Sequence, residues 1–316
     1  GSLLNEGIDG VLHLKSNRAI TADGLCLDGK GGVWLCGSFY QMMSCREMSL
    51  KQDGQASIYA LHASKGQLLT LSGGGSPGKD SAHGIASDSK GGAWVWGKTC
   101  SDGNFGGHYV PSDAVKNVFV ARVGWHGNWI SAAVAHPRTG PIDIVGAAVR
   151  GNGCCVAFTF EGNARVGARS FTSLEGVDAL VMWVSEYGDI VGVEQMVASG
   201  TLRLAGMSTG SQNRVRLAGQ YRDNLRCGEF ALHSKSDDMF IAEAESMRVS
   251  ESIPALRLAR LTGYGGLSSD EVHGGFTLSE SGMYALVTAG GEGAFGRVRL
   301  GNGSWILRMA ELDRNW

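Results

Sequence analysis

The chain has 316 residues, a formal net charge of −2 and no apolar run of about 18 residues or more, so no membrane-spanning helix is expected. The near-neutral balance argues against a nucleic-acid surface, which needs a clustered basic face. With 49 glycines, only 5 prolines and interleaved aromatic and β-branched residues, the composition suits tight turns between short strands.

At the amino terminus, GSLLNEGIDG lacks the basic stretch and apolar core of a signal peptide, and the leading Gly-Ser reads as a cloning remnant. IDGVLHLKSN (8–17) reads as a strand with no partner of its own. A repeat then begins. Residues 24–37 are GLCLDGKGGVWLCG and residues 84–97 are GIASDSKGGAWVWG, with Gly, Asp, Lys, Gly-Gly, Trp and Gly at the same offsets. Weaker copies lie at 146–157, 206–219 and 274–290. The leading glycines Gly24, Gly84, Gly146, Gly206 and Gly274 are spaced by 60, 62, 60 and 68 residues, a period that points to a repeat architecture.

Within each repeat a short strand runs into a turn, and an alternating aromatic strand follows. A polar connection leads to a hairpin. The hairpins are ASIYALHASKGQLLTL (56–71), NVFVARVGWHGNWISA (117–132) and DALVMWVSEYGDIVGV (178–193), with later copies at 238–253 and 304–316. Gly66, Gly127 and Gly188 stand where each of the first three must turn, and glycine permits the positive φ required there. No segment holds a helical period over ten or more residues.

Four antiparallel strands repeated five times predict an all-β fold, a five-bladed β-propeller in a single domain. The blades fall near 18–75, 76–138, 139–199, 200–266 and 267–316. The last stops after its third strand, and residues 8–17 are expected to complete it, closing the ring and removing exposed edges. The longer final spacing comes from 242–266, read as an insertion at a blade-edge loop.

GIASDSKGGAWVWG and NVFVARVGWHGNW, supported by LCLDGKGGVWLCG and GEFALHSKSDDMFIAEA, resemble bacterial β-propeller repeats of the SBBP type. The resemblance covers nearly the whole chain and is closest in the first two repeats; Arg150 and Gly210 stand where the later repeats should carry the Asp. It implies architecture and a secreted or cell-surface setting, and it carries no catalytic motif.

Asp28 and Asp88 precede glycine-rich turns. Each is read as an Asx-turn acceptor, because calcium needs about six to eight oxygens and each loop supplies one carboxylate. Trp34, Trp94, Trp96, Phe119, Trp183, Phe240 and Trp305 are assigned to packing between blades. Trp125 and Trp129 flank a hairpin turn; with Tyr109 they are the candidate exposed aromatics for a sugar or partner contact. DSAHG (80–84) and DEVHG (270–274) lie just before or at the leading glycines, and Asp23 and Asp143 fall in similar neighbourhoods. In a propeller such loops crowd one mouth of the central channel. Asp80, His83, Asp143, Asp270, Glu271 and His273 are therefore candidate ligand-binding residues of a central funnel. Histidine with carboxylate can do acid–base work or bind a metal, and it can equally tie down loops.

SGGGSPGK (72–79) lacks the phosphate-loop spacing and reads as a connection between blades; neither GxSxG nor HExxH occurs. The seven cysteines show no zinc spacing. They read as buried free thiols that lean toward a reducing compartment, with a disulfide from Cys45 as the alternative.

The leading functional expectation is a non-catalytic binding or scaffold module with a protein or carbohydrate partner. No cofactor, metal, nucleic-acid partner or membrane insertion is expected. The alternatives are a carbohydrate-binding, lectin-like module and a glycoside hydrolase or lyase acting in the funnel. The last would need two carboxyl groups about 5–10 Å apart.

Overall fold

A computed structural model describes residues 11–309 apart from 53–54, 114–115, 141, 151–152, 210–213, 251–252, 267–269, 280–281, 290–292, 296–297 and 301–302; for residues 150, 174, 246–257 and 264–309 it describes the backbone alone. The described chain is all-β, without helix, and its strands pair antiparallel. It divides into two compact units, one of residues 1–136 with 186–189 and the other of 137–185 with 190–316.

In the first unit, Gly24–Leu27, Gly32–Phe39, Ser57–Ser64 and Gln67–Gly74 pair in chain order as a four-stranded meander. A second meander runs Ser81–Ser87, Ala93–Thr99, Asn117–Val123 and Trp129–Thr139, the last strand leaving the unit after His136. Alternation decides which residues face inward. Trp34, Cys36, Ile58 and Ala60 share one face of the first sheet. They pack against Ile85, Val95, Phe119, Ala121 and Val123 of the second in one buried cluster. The leading glycines lie where the two first strands meet backbone to backbone: a Cβ on Gly24 would stand 2.8 Å from Gly84 Cα and 2.9 Å from Ile85 N. On the opposite face of the first sheet, Leu25 and Leu27 are 64% and 67% exposed.

The second unit has the same plan. The third meander is Ile144–Arg150, Gly153–Val166, Arg169–Val184 and Ile190–Ala198; the fourth is Leu202–Thr209, Val215–Cys227, Phe230–Ser250 and Ile253–Gly266. Cys155, Ala157, Val181, Trp183 and Met196 of the third pack on Val215, Leu217, Phe240 and Ala242 of the fourth. The Thr209 hydroxyl donates to Val149 O at 2.9 Å, joining their first strands. A fifth meander has three strands, Asp270–Ser279, Gly282–Ala289 and Gly303–Met309. The stretch 242–266 lengthens the third and fourth strands of the fourth meander.

In the second, fourth and fifth meanders the connection between the second and third strands folds back as a hairpin, and its edge pairs with the end of the preceding fourth strand. Asn104 bridges Gly75, Leu225–Cys227 pair with Met196–Ala198, and Gly293 and Ala294 pair with Gly266 and Gly265. The paired residues stand eight to ten before the next leading glycine. Leu14–Ser16 have that same offset from Gly24, and they pair with Met43–Cys45 of the first hairpin. The described part of segment 8–17 thus makes its strand pairing with residues 43–45, and residues 8–10 lie outside the described residues.

Gly66, Gly127 and Gly188 have φ of 68°, 81° and 90°, the left-handed geometry expected of them. All seven cysteines are free. Burial pushes the Cys26 thiol up to about 11 and the Cys227 thiol up to about 12, away from the thiolate form. No helix among the described residues is long and apolar enough to cross a membrane.

Candidate functional site

The repeated Asp is the hub of a small buried assembly. Asp28 Oδ1 accepts hydrogen bonds from Lys30 N at 2.7 Å and Gly32 N at 2.8 Å, which ties the turn. Its Oδ2 meets His62 Nε2 at 2.9 Å with no solvent access to the ring. His62 stacks on Trp34, its cross-strand partner, at 4.3 Å between centroids, and Trp125 meets its edge at 4.4 Å. The Trp34 indole N–H donates to Gly91 O at 3.2 Å, joining the first meander to the second. Lys30 Nζ stands 5.2 Å from the centre of the Trp125 ring.

Burial raises the Asp28 carboxyl, but the N–H groups of Lys30 and Gly32 and the His62 ring together hold it below the usual carboxylate value. An ionised carboxylate only accepts, so Nε2 carries the ring proton and Nδ1 is left as a buried nitrogen without a hydrogen bond.

The second meander repeats the geometry with an arginine in place of the histidine. Asp88 Oδ1 accepts from Lys90 N and Gly92 N, both at 2.8 Å. Its Oδ2 accepts from Arg122 Nε at 2.8 Å and from a terminal guanidinium nitrogen at 2.6 Å. Arg122 lies opposite Trp94 on the neighbouring strand, as His62 lies opposite Trp34. Glu186 completes this cluster, 2.5 Å from Lys90 Nζ and 3.5 Å from Arg122. In the fourth meander the same cross-strand pair is Arg216 and Glu243, 2.5 Å apart; in the third it is Cys155 and Trp183. Where the turn Asp is missing, the third meander has neither a histidine nor an arginine at this pair, and the fourth has an arginine neutralised across the strands.

Asp80 is buried and its oxygens are occupied. Oδ2 accepts from Ser76 N; Oδ1 accepts from the Ser76 hydroxyl at 2.5 Å and from Cys100 N at 3.2 Å. It fastens the glycine-rich connection 73–79, and burial pushes its carboxyl up to about 6. His83 is exposed. The exposed Asp143 is held through its backbone, with its N–H donating to the Thr159 hydroxyl at 3.1 Å and its carbonyl accepting from Thr159 N at 2.9 Å. Asp270, Glu271 and His273 lie in the strand Asp270–Ser279, and their side chains are outside the described residues. Asp80 and His83 belong to the first unit; Asp143, Asp270, Glu271 and His273 belong to the second. Asp23 accepts from the Thr21 hydroxyl at 2.7 Å.

The three candidate aromatics have different surroundings. Trp129 is buried, with its N–H donating to Gly73 O at 2.8 Å and its ring against Phe105. Trp125 is partly buried and covers His62. Tyr109 is 60% exposed, and its hydroxyl donates to Asp102, which also accepts from Ser112 N at 2.6 Å. These two donors hold the Asp102 carboxyl below its usual value.

Sequence reading missed His62, Arg122 and Glu186. The first two stand thirty-four residues after Asp28 and Asp88, so the equal spacing was the available signal. Glu186 is no closer than ninety-six residues in sequence to Lys90, and no short motif joins them. Among the described residues, no three His, Cys, Asp or Glu side chains are grouped to hold a metal ion. No family model matches the chain, and a search of curated proteins finds no significant match.

Proposed function

We propose that the chain is a non-catalytic binding or scaffold protein, a five-bladed β-propeller built from SBBP-type repeats. Five successive meanders, each opened by a strand bearing a leading glycine, support the blade count. Side-by-side first strands and hairpins paired to the preceding fourth strand are what neighbouring blades require. Leu14–Ser16 occupy the register of a fourth-strand end, which favours residues 8–17 as the outer strand of the last blade.

The observation that carries the non-catalytic reading is the use of the repeated carboxylates. Asp28 and Asp88 each spend both oxygens on their own turn and on one buried side-chain donor, His62 or Arg122, and Asp80 spends its oxygens on a connection. Function then falls to the exposed loops, where the repeats differ.

Tyr109 favours a carbohydrate ligand as the second reading, because its exposed ring is held by Asp102 as a fixed stacking face. A glycan array and a panel of glycoside and polysaccharide substrates test both. The scaffold reading expects no turnover. Array binding lost in Tyr109→Ala would favour the lectin. Turnover abolished by Asp143→Asn with Asp270→Asn at unchanged stability would overturn the non-catalytic reading.

A further inference from the structure

The two sheet-to-sheet interfaces, first on second meander and third on fourth, can be compared position by position through their strand registers. In the first unit the layer is filled by Phe105, Val123 and Trp129. Phe105 stacks on Phe119 at 4.9 Å and takes Trp129 edge-on at 5.1 Å. It lies so close over Gly74 that a Cβ there would stand 2.5 Å from its ring. The corresponding residues in the second unit are Cys227, Ala244 and Leu258. Cys227 follows Gly206 by twenty-one residues, as Phe105 follows Gly84. Ala244 pairs with Val215 and Leu258, as Val123 pairs with Ala93 and Trp129.

On one sheet three side chains therefore shrink, two of them from aromatics, while Val215 for Ala93 and Leu217 for Val95 return part of the volume. The opposing sheet recovers part of the volume: Met196 stands for Gly74, Val181 for Ala60 and Glu194 for Ser72. What remains is a cavity of about 20 Å³ walled by Val181, Val215, Leu217, Ala242, Ala244 and Leu258, with Met196, Cys227 and Glu194 also lining it. It exceeds the roughly 10–15 Å³ that a water needs, but a buried water also needs about two to four polar partners. Glu194 is the one charged side chain among the lining residues, and burial pushes its carboxyl up.

We propose that the interface between the third and fourth meanders is a binding site for a small, uncharged apolar ligand, created by these truncations. The first interface is its filled counterpart and supplies an internal control. Packed interiors leave few such voids, so a departure from the repeat that opens one marks this interface as different in kind from its equivalent.

Xenon is the probe. In methyl-resolved NMR of the whole chain under xenon, saturable shifts are expected at Val181, Val215, Leu217 and Leu258, with none at Val95, Val123 or Val134. Ala244→Val restores the volume of Val123; it should abolish the response and raise the melting midpoint by about 2–4 °C. Ala242→Val is the second filling variant should the first not fold. Absence of saturable shifts in the unaltered protein overturns the proposal, as does a response that survives both filling variants.

Discussion

Asp28 and His62, thirty-four residues apart, meet at 2.9 Å in a spot closed to solvent, and Asp88 and Arg122, with the same separation, meet at 2.6 Å in the next repeat. In both, the carboxylate closes its own turn with one oxygen and anchors the third strand with the other. The turn and the strand are thereby held by one residue.

Asp28→Ala should cost about 3–5 kcal/mol, because it leaves His62 and two turn N–H groups without their acceptor. The native carboxyl is held below its ordinary value, so the unfolded chain binds the proton more readily. Stability from Asp28 is thus complete above the ordinary carboxylate range and is lost as pH falls through the lowered native value. Urea melts from pH 7 down to pH 3 should show this acid loss in the unaltered protein and a shallower loss in Asp28→Asn. Equal slopes for the two would refute the linkage.

Arg122→Met removes the cation from two carboxylates at once, Asp88 and Glu186. Its expected cost is again about 3–5 kcal/mol, mostly from stranding the buried Asp88. Glu186→Gln should cost no more than about 1 kcal/mol, since the Asp88 pair survives and Lys90 is exposed. Chemical denaturation of both variants checks the order; a larger loss in Glu186→Gln would place the anchor at the wrong carboxylate.

Alternation of small, aromatic and β-branched residues made the all-β class legible, and Gly66, Gly127 and Gly188 marked hairpin turns that the backbone bears out. The sequence of the short hairpin Gly103–Phe105 with His108–Val110 looks like a polar connection, because Phe105 and Val110 are its sole fully buried apolar residues. The turn role of Asp28 and Asp88 was legible from the glycines beside them. Their partners were not, since His62 and Arg122 differ in type and only their register is shared.

Asp80 should show the opposite pH dependence from Asp28. Burial raises its native value to about 6, so the folded chain holds the proton more tightly than the unfolded chain does. Stability is then greatest below the ordinary carboxylate value and declines as pH rises toward about 6, by about 3 kcal/mol at most. Asp80→Asn should flatten the profile between pH 4 and pH 7, the range set by these two values. Thermal melts across that interval decide it: a profile unchanged by Asp80→Asn would mean the carboxyl does not titrate there.

The leading glycines give the sharpest steric test. Gly24 faces backbone atoms, and backbone cannot step aside as a flexible side-chain tip can: its Cβ would lie 2.8 Å from Gly84 Cα and 2.9 Å from Ile85 N. Gly24→Ala must therefore push apart the first strands of the first and second meanders, at an expected cost of about 2–3 kcal/mol. Gly107→Ala is the contrast. It has φ of 99° but open space around a Cβ, so it should cost about 1 kcal/mol from backbone strain alone. If denaturation ranks Gly107→Ala as the more damaging, the leading glycine of the repeat is not there for close strand approach.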